Sequence, residues 1–360
     1  MKSRTEKLLG GLNLPTLVGA EIGPLHNPLV RRGDGHIIYV DHKSAEELRA
    51  YYAGDPDVNT KPIEVDAIWG VHTLREAIDA YFQKSGQASQ SLDYVVASHV
   101  IEHVPDLVTW LQEIRSVLTP TGQVRLAVPD KRYTFDYLRH TTQLDGVLEA
   151  YLHRARIPNT HCLLDFCLNY VTVDIAAAWQ GPLDVSQLKK FHTLEGAAGL
   201  AIDAMVNGTY IDVHCWVFTP QSFANLFVQL AQANLIDFSC EEYFDSEYLS
   251  NEFIVNLRVN DDKAAVIESW QHMAETFRLA EQQTIERAAE QLLQERLAQA
   301  RTKQQAVDAA AAVAAAEQAA ADAQAAAAAQ SAIEAAMATR RPRVTGIRSA
   351  LKAIGYVIKG

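Results

Sequence analysis

The sequence predicts an α/β domain built on an open parallel sheet, followed by one long helix and a basic tail. Three observations carry this. Short apolar, β-branched runs alternate with helical periodicity between residues 16 and 128, the pattern of strands joined by helical crossovers. Carboxylates close the first three of those runs, at Glu21, Asp41 and Asp66. From residue 298 to 338 the chain is mostly alanine with no glycine or proline, the composition of an uninterrupted helix.

Residues 16–22 form the first strand, which runs into Glu21-Ile22-Gly23-Pro24-Leu25. Glycine suits a turn where backbone approaches a ligand closely. Residues 37–41 are a second apolar strand ending at Asp41 and His42; in dinucleotide folds an acid there accepts hydrogen bonds from ribose hydroxyls. Residues 45–52 suit a short helix, 63–67 a third strand ending at Asp66 and Ala67, and 72–82 another helix. Residues 92–97 are a buried parallel strand by their apolar run. Residues 104–118 then place Val104, Leu107, Val108, Leu111, Ile114, Val117 and Leu118 on one helical face. Thr119-Pro120-Thr121-Gly122 is turn chemistry, and residues 123–128 are the next strand. A strand–helix–strand unit of this length is a right-handed crossover. It puts Ser98 and His99 at the carboxyl end of a strand, where open α/β sheets bind ligands.

The stretch D-Y-V-V-A-S-H-V-I-E-H-V-P-D (residues 93–106), followed by L-T-P-T-G-Q-V-R-L-A-V-P-D (118–130), resembles the region after strand 4 and strand 5 of class I S-adenosylmethionine (SAM)-dependent methyltransferases, of the type 11-like kind. The resemblance covers residues 12–260. It implies a Rossmann-like seven-stranded sheet with SAM as cofactor. It assigns Asp41 to the SAM ribose and Asp66 to the adenine amino group. Glu21, Gly23 and Pro24, in the family's first motif, and His42, Ala67 and Ser98 are expected to bind the cofactor with them. Of the family's glycines only Gly23 is kept; Leu25 and Asn27 occupy the later places. Asparagine adopts the left-handed conformation readily, whereas leucine does not. The Gly-x-Gly-x-x-Gly of other dinucleotide folds is absent.

Residues 130–210 show no clear strands. Helical character covers 144–152, 162–179 and 185–206, with breaks at Pro158 and Gly181-Pro182. A helix at 221–233 and strands at 235–243 and 252–259 then resemble the last helix and final hairpin of the methyltransferase fold. The insertion, about residues 131–210, is expected to cap the carboxyl edge of the sheet as a substrate lid.

Methyl transfer from a sulfonium is an in-line displacement, so positioning dominates catalysis; a hydroxyl acceptor gains further from a general base. His99, His103 and Asp130, near the ends of strands 4 and 5, are the candidates. His140, His161, His192 and His214 lie in or beside the insertion, and Arg132 and Tyr133 can shape an acceptor pocket. His99-Val100-Ile101-Glu102-His103 matches H-x-x-E-H, but that zinc chemistry sets both histidines on one face of a helix. Here His99 follows a strand and Pro105 marks the helix entrance, so no metal is expected.

The net charge of −12 argues against nucleic acid as a substrate, because phosphate binding needs a basic surface. A small-molecule or glycan acceptor is expected instead. The amino terminus lacks the apolar core of a secretory signal. The four cysteines have no metal-type spacing and suit a reducing compartment, so a cytoplasmic enzyme is expected. Val266, Trp270, Met273, Phe277, Ala280 and Thr284 follow a 4-3-4-3-4 spacing, either a short coiled-coil seam for homo-oligomers or a face that docks on the catalytic domain. The helix, residues 262–338, spans on the order of 100 Å at ~1.5 Å per residue. No acid follows Glu334, and Ile347, Leu351, Ile354 and Ile358 share a face among basic residues, a pattern that suits an anionic membrane or a protein partner. The expected organisation is a methyltransferase domain (1–260), a helical spacer (261–338) and a basic amphipathic tail (339–360). The function read from the sequence is O-methylation of a sugar or other small acceptor in bacterial cell-surface glycan assembly. The alternative is an inactive methyltransferase-like scaffold acting through its C-terminal helix.

Overall fold

The computed structural model describes residues 2–54, 58 and 62–339; the basic tail lies outside them. The element order is α1 (Arg4–Leu9), β1 (Val18–Ile22), β2 (His36–Asp41), α2 (Ala45–Tyr51), β3 (Ala67–Ile68), α3 (Leu74–Lys84), β4 (Leu92–Ser98), α4 (Leu107–Val117), β5 (Leu118–Pro129), α5 (Leu144–His153), α6 (Thr160–Asn169), α7 (Ile175–Gln180), α8 (Leu194–Asn207), α9 (Pro220–Gln232), β6 (Phe238–Phe244), β7 (Glu252–Val259) and α10 (Lys263–Thr339). The seven strands form one sheet in the order β3-β2-β1-β4-β5-β7-β6. Strands β1 to β5 are parallel, and β7 enters antiparallel between β5 and β6. This is the Rossmann-like methyltransferase fold. The strand order reverses between β1 and β4, which makes their carboxyl ends the ligand crevice.

The main core lies on one side of the sheet, where Val95, Ala97, Leu126 and Val255 meet α3, α4, α9 and the first turns of α10. Trp270 is fully buried there; its indole N–H donates to the Phe238 carbonyl at 2.8 Å, and its ring lies 4.5 Å from that of Phe227. Val266, Met273 and Phe277 are buried beside it. The first four positions of the 4-3-4-3-4 seam therefore dock on the sheet domain, while Ala280 and Thr284 are exposed. The compact unit runs to Glu281, some twenty residues past the boundary the sequence suggests. Residues 282–339 are helical and exposed throughout. Among the described residues no helix is long and apolar enough to cross a membrane.

The structure departs locally from the expected elements in four places, three of them with a side-chain cause. The third strand shortens to two residues because Asp66 uses its side chain to accept the Tyr39 N–H at 2.8 Å, a local bond that competes with the ladder. The expected turn at 119–122 is absorbed into β5, which starts at Leu118 with a register irregularity opposite Leu92 and Tyr94. The helix expected over 162–179 breaks at the β-branched run Val171-Thr172-Val173, which is stiff at χ1, and resumes after Asp174 caps Ala177. The one expected over 185–206 starts at Leu194, where Thr193 accepts the Gly196 N–H. A further element, α1, carries a capping box between Ser3 and Glu6 and packs Leu8 on Ala127 and Ile254.

Candidate active site

The loop after β1 is built by Glu21. Its carboxylate is buried and accepts the Leu29 and Val30 N–H groups at 2.7 and 2.9 Å, so one side chain folds the loop back onto its strand. Burial pushes the Glu21 carboxyl up to about 7, against those two donors and the charge of Arg4. Gly23 sits at φ 65°, with its N–H on the Val40 carbonyl at 2.8 Å, and a Cβ there would lie 2.8 Å from Val100. Pro24 follows in the same turn. Leu25, not Asn27, takes the left-handed backbone at φ 47°, and its side chain packs against the Leu48, Val58 and Ile63 cluster. The packing offsets a conformation that leucine rarely adopts.

Asp41 ends β2, buried at the carboxyl edge. Its Oδ1 accepts the His42 N–H at 2.7 Å and lies 2.8 Å from His42 Nδ1, while among the described residues Oδ2 accepts no hydrogen bond. A left-handed glycine turn at the strand end, beside a buried carboxylate with a spare acceptor, fits a ribose-bearing cofactor. Asp66 does not share that edge. It precedes β3, two residues before Ile68, which is level with Asp41, and its carboxylate is bound by the Arg32 guanidinium at 2.8 and 3.0 Å. The adenine role assigned to Asp66 is corrected on this ground, and Ala67 likewise begins the strand instead of ending it.

Ser98 and His99 stand at the end of β4. Arg4 donates to Ser98 Oγ at 2.6 Å and forks onto Glu252 at 2.6 and 2.9 Å. His99 holds φ 54°, an uncommon conformation for histidine, and its Nε2 lies 2.9 Å from Glu252 Oε2. Burial pulls the His99 imidazole down, but the Glu252 hydrogen bond and the charges of Glu102 and Glu252 outweigh it and raise it above its ordinary value. Burial also works against a charged Glu252, yet His99 and Arg4 hold that carboxyl down at about 2. His103 pairs through Nδ1 with Asp212 at 2.8 Å. It too is raised on balance, burial being outweighed by Asp212 and Glu102.

Asp130 does not qualify as a base. It is fully buried, its oxygens carry the Arg132 guanidinium and backbone N–H, and Ser246 Oγ donates to it at 2.8 Å. Arg132 is thereby committed to Asp130, and Tyr133 stacks on Trp179 with centroids 4.1 Å apart.

The segment leaving the insertion completes the site. Ile211 and Val213 pack into the helical cluster of Leu163, Ala201 and Ala204, which turns the alternate residues Tyr210, Asp212 and His214 toward the sheet. The Tyr210 ring lies 5.6 Å from that of His42; Asp212 takes His103; and His214 Nδ1 lies 2.5 Å from Asp136 Oδ2. Asp136 and Arg139 form a buried ion pair at 2.8 Å. Cys215 and Trp216 both donate their N–H to the Glu102 carbonyl, at 2.6 and 3.1 Å. Of the histidines named in the insertion region, only His214 joins the group at the end of β4. Glu102 is fully buried between His99, His103 and His214. Asp136, Asp212, Tyr210, Glu252 and Arg4 escape sequence reasoning. The Y-I-D-V-H alternation of residues 210–214 is the one local signal that they belong together.

None of the curated proteins matches the chain in sequence. Among solved structures it is similar to a candidate Zn-dependent alcohol dehydrogenase from Rhodobacter sphaeroides (12% identity, 72% of this chain and 91% of that one, TM-score 0.36). It is also similar to an S-adenosylmethionine-dependent methyltransferase from Mesorhizobium loti (12%, 69% and 93%, TM-score 0.34) and to the CcbJ methyltransferase from Streptomyces caelestis (12%, 71% and 89%, TM-score 0.34). Likenesses this distant say nothing about substrate. Residues 18–237 match the family described as methyltransferase domain, and on that span, more than half of its length, the chain belongs to the methyltransferase domain family, whose methyl donor is S-adenosylmethionine.

Proposed function

We propose that the chain methylates an oxygen of a sugar or other small hydroxylated acceptor, in bacterial cell-surface glycan assembly. The observation that carries this reading is His99, an imidazole in a left-handed conformation at the end of β4 with Nε2 on the buried Glu252 carboxylate at 2.9 Å. Strained residues held by their surroundings cluster at functional sites, and a base oriented by a carboxylate is what a hydroxyl acceptor needs.

The Gly23 turn and the spare Asp41 oxygen would receive the cofactor, with Pro24, His42 and Ser98 beside them. SAM supplies an electrophilic methyl group and leaves as a neutral thioether. The chain supplies the rest. Nε2–H of His99 donates to Glu252, and its Nδ1 takes the acceptor's proton as the new oxygen–carbon bond forms. The Tyr210 ring and the insertion helices exclude water and select the acceptor, as a lid. The cytoplasm is the proposed location, with the basic tail on an anionic membrane surface or a partner and the C-terminal helix available for self-association.

Two measurements test the reading. Calorimetric titration of the chain with SAM and S-adenosylhomocysteine should show micromolar binding. In an acceptor screen beginning with sugars, His99→Asn should lower kcat at least about 100-fold while S-adenosylhomocysteine affinity stays within about twofold. An undiminished kcat would remove His99 from the chemistry.

A further inference from the structure

We infer a divalent-metal site at the end of β4, formed by the Glu102 carboxylate, His103 Nε2 and His214 Nε2. One ligand atom from each of the three residues lies within 4.8 Å of the others. Glu102 Oε1 is 3.8 Å from His103 Nε2 and 3.8 Å from His214 Nε2. These separations are too long for hydrogen bonds. They leave room for an ion with bonds of about 2.0–2.2 Å to nitrogen and oxygen.

An independent observation asks for a cation. Glu102 is fully buried, and neither of its oxygens has a hydrogen-bond partner. A buried carboxylate without a partner is strongly unfavourable. The surrounding imidazoles stand too far from it to hydrogen-bond, at 3.7–3.8 Å. His103 Nδ1 is tied to Asp212 at 2.8 Å and His214 Nδ1 to Asp136 at 2.5 Å. With those protons on Nδ1, both Nε2 lone pairs point at the carboxylate, so a cation placed between them would be bound by all three groups at once. Carboxylate–histidine–metal triads are built in this way, the outer carboxylate fixing the tautomer and ring of each ligand.

The H-x-x-E-H motif was set aside because its residues could not share a helical face, and they do not: they lie between the end of β4 and the start of α4. A loop delivers two of them, Glu102 and His103, and the exit of the insertion delivers the third ligand. His99 is not required. Its Nδ1 faces the same oxygen at 3.7 Å, which places the proposed base beside the metal. Two imidazoles and a carboxylate are the donor set of zinc sites that keep an open position, where an oxygen of the acceptor or a water would bind and be acidified. That role rests on the methyl-transfer reading; the site itself does not.

The test uses the full chain, free of any histidine tag and stripped with chelator, titrated with Zn²⁺ by calorimetry and with Co²⁺ by visible absorption. One equivalent should bind with submicromolar affinity, and Co²⁺ should give ligand-field bands of low coordination number. Glu102→Gln and His103→Ala, each checked for fold by circular dichroism, should weaken binding at least about 100-fold. Zn²⁺ should also raise the melting temperature of the unaltered chain, so the inference does not hang on a variant that fails to fold. Absence of stoichiometric binding by the folded chain to Zn²⁺, Co²⁺, Mn²⁺ or Fe²⁺ overturns the site, as does binding that survives both substitutions. S-adenosylhomocysteine titrated in parallel separates the two readings: cofactor binding without metal binding defeats this inference alone, and metal binding without cofactor binding defeats the methyl-transfer reading alone.

Discussion

Three residues at the first two strand ends, proposed to shape and hold the cofactor crevice, each have their own test. Asp41→Ala should weaken SAM binding at least about tenfold by calorimetry, since it removes a buried acceptor at the crevice. Gly23→Ala forces a side chain into a left-handed turn and against Val100 at 2.8 Å, which should cost about 1–2 kcal/mol in denaturant unfolding and lower S-adenosylhomocysteine affinity. Glu21 predicts a pH signature. Its folded carboxyl titrates at about 7 against 4.5 without burial, so above pH 4.5 the unfolded chain binds fewer protons than the folded one. Stability should therefore fall as pH rises from about 4.5 to 7 and then level off, by on the order of 3 kcal/mol. Glu21→Gln should flatten that fall in urea titrations at pH 5 and pH 8; an unchanged slope would place the dependence elsewhere. Sequence reading placed Glu21, Gly23, Asp41, Ser98, His99 and His103 at or just after strand ends, where the fold also has them, because strand ends advertise themselves through apolar runs; their proposed roles await the tests above. It misplaced Asp66 and Asp130 because a carboxylate next to a strand looks the same whether it faces the crevice or is claimed by an arginine such as Arg32 or Arg132. Only the fold says which arginine arrives.

At the level of elements, hydrophobic periodicity located most of the crossovers, and the limits of β7 agree with it residue for residue. It was weakest where side chains override propensity. Asp66 replaces part of a ladder, Val171-Thr172-Val173 interrupts a helix, and α1, six residues long, is too short for a period to show. The seam of α10 was ambiguous between a second helix and the sheet, because bulky residues at such spacing serve either. Trp270 resolves it through its bond to Phe238. Trp270→Ala should therefore destabilise the compact unit by about 3–5 kcal/mol, measured by denaturant unfolding. A loss under about 1 kcal/mol would mean that the docked turns contribute little.

For the whole molecule, the composition shift near residue 261 marks a change of character but not the end of the core, since a helix can begin as a core element and continue as an exposed one. A chain ending at residue 281 should keep the melting temperature of the full chain within a few degrees, whereas one ending at residue 260 should melt far lower or fail to fold, having lost Val266, Trp270, Met273 and Phe277. Equal melting of the two would contradict the packing described for α10. The alanine-rich remainder has no buried face, so it should lose helicity gradually on heating, apart from the cooperative transition of the sheet domain, as a helix without tertiary packing does.

The bond from Arg4 to Glu252 joins positions 248 residues apart, and the same small region takes His214 and Ser98 from between them. Such closure is entropically late and slow. During synthesis the chain can pair β1 to β5 and shape its cofactor turn long before it owns a finished centre. Only when β7 has left the ribosome, and the first turn of the chain has returned to meet it, do Ser98 and His99 gain their bonds to Arg4 and Glu252. A nascent or truncated chain is thus able to look folded by its early strands while remaining chemically silent, and amino-terminal additions that hinder Arg4 should mature slowly for the same reason.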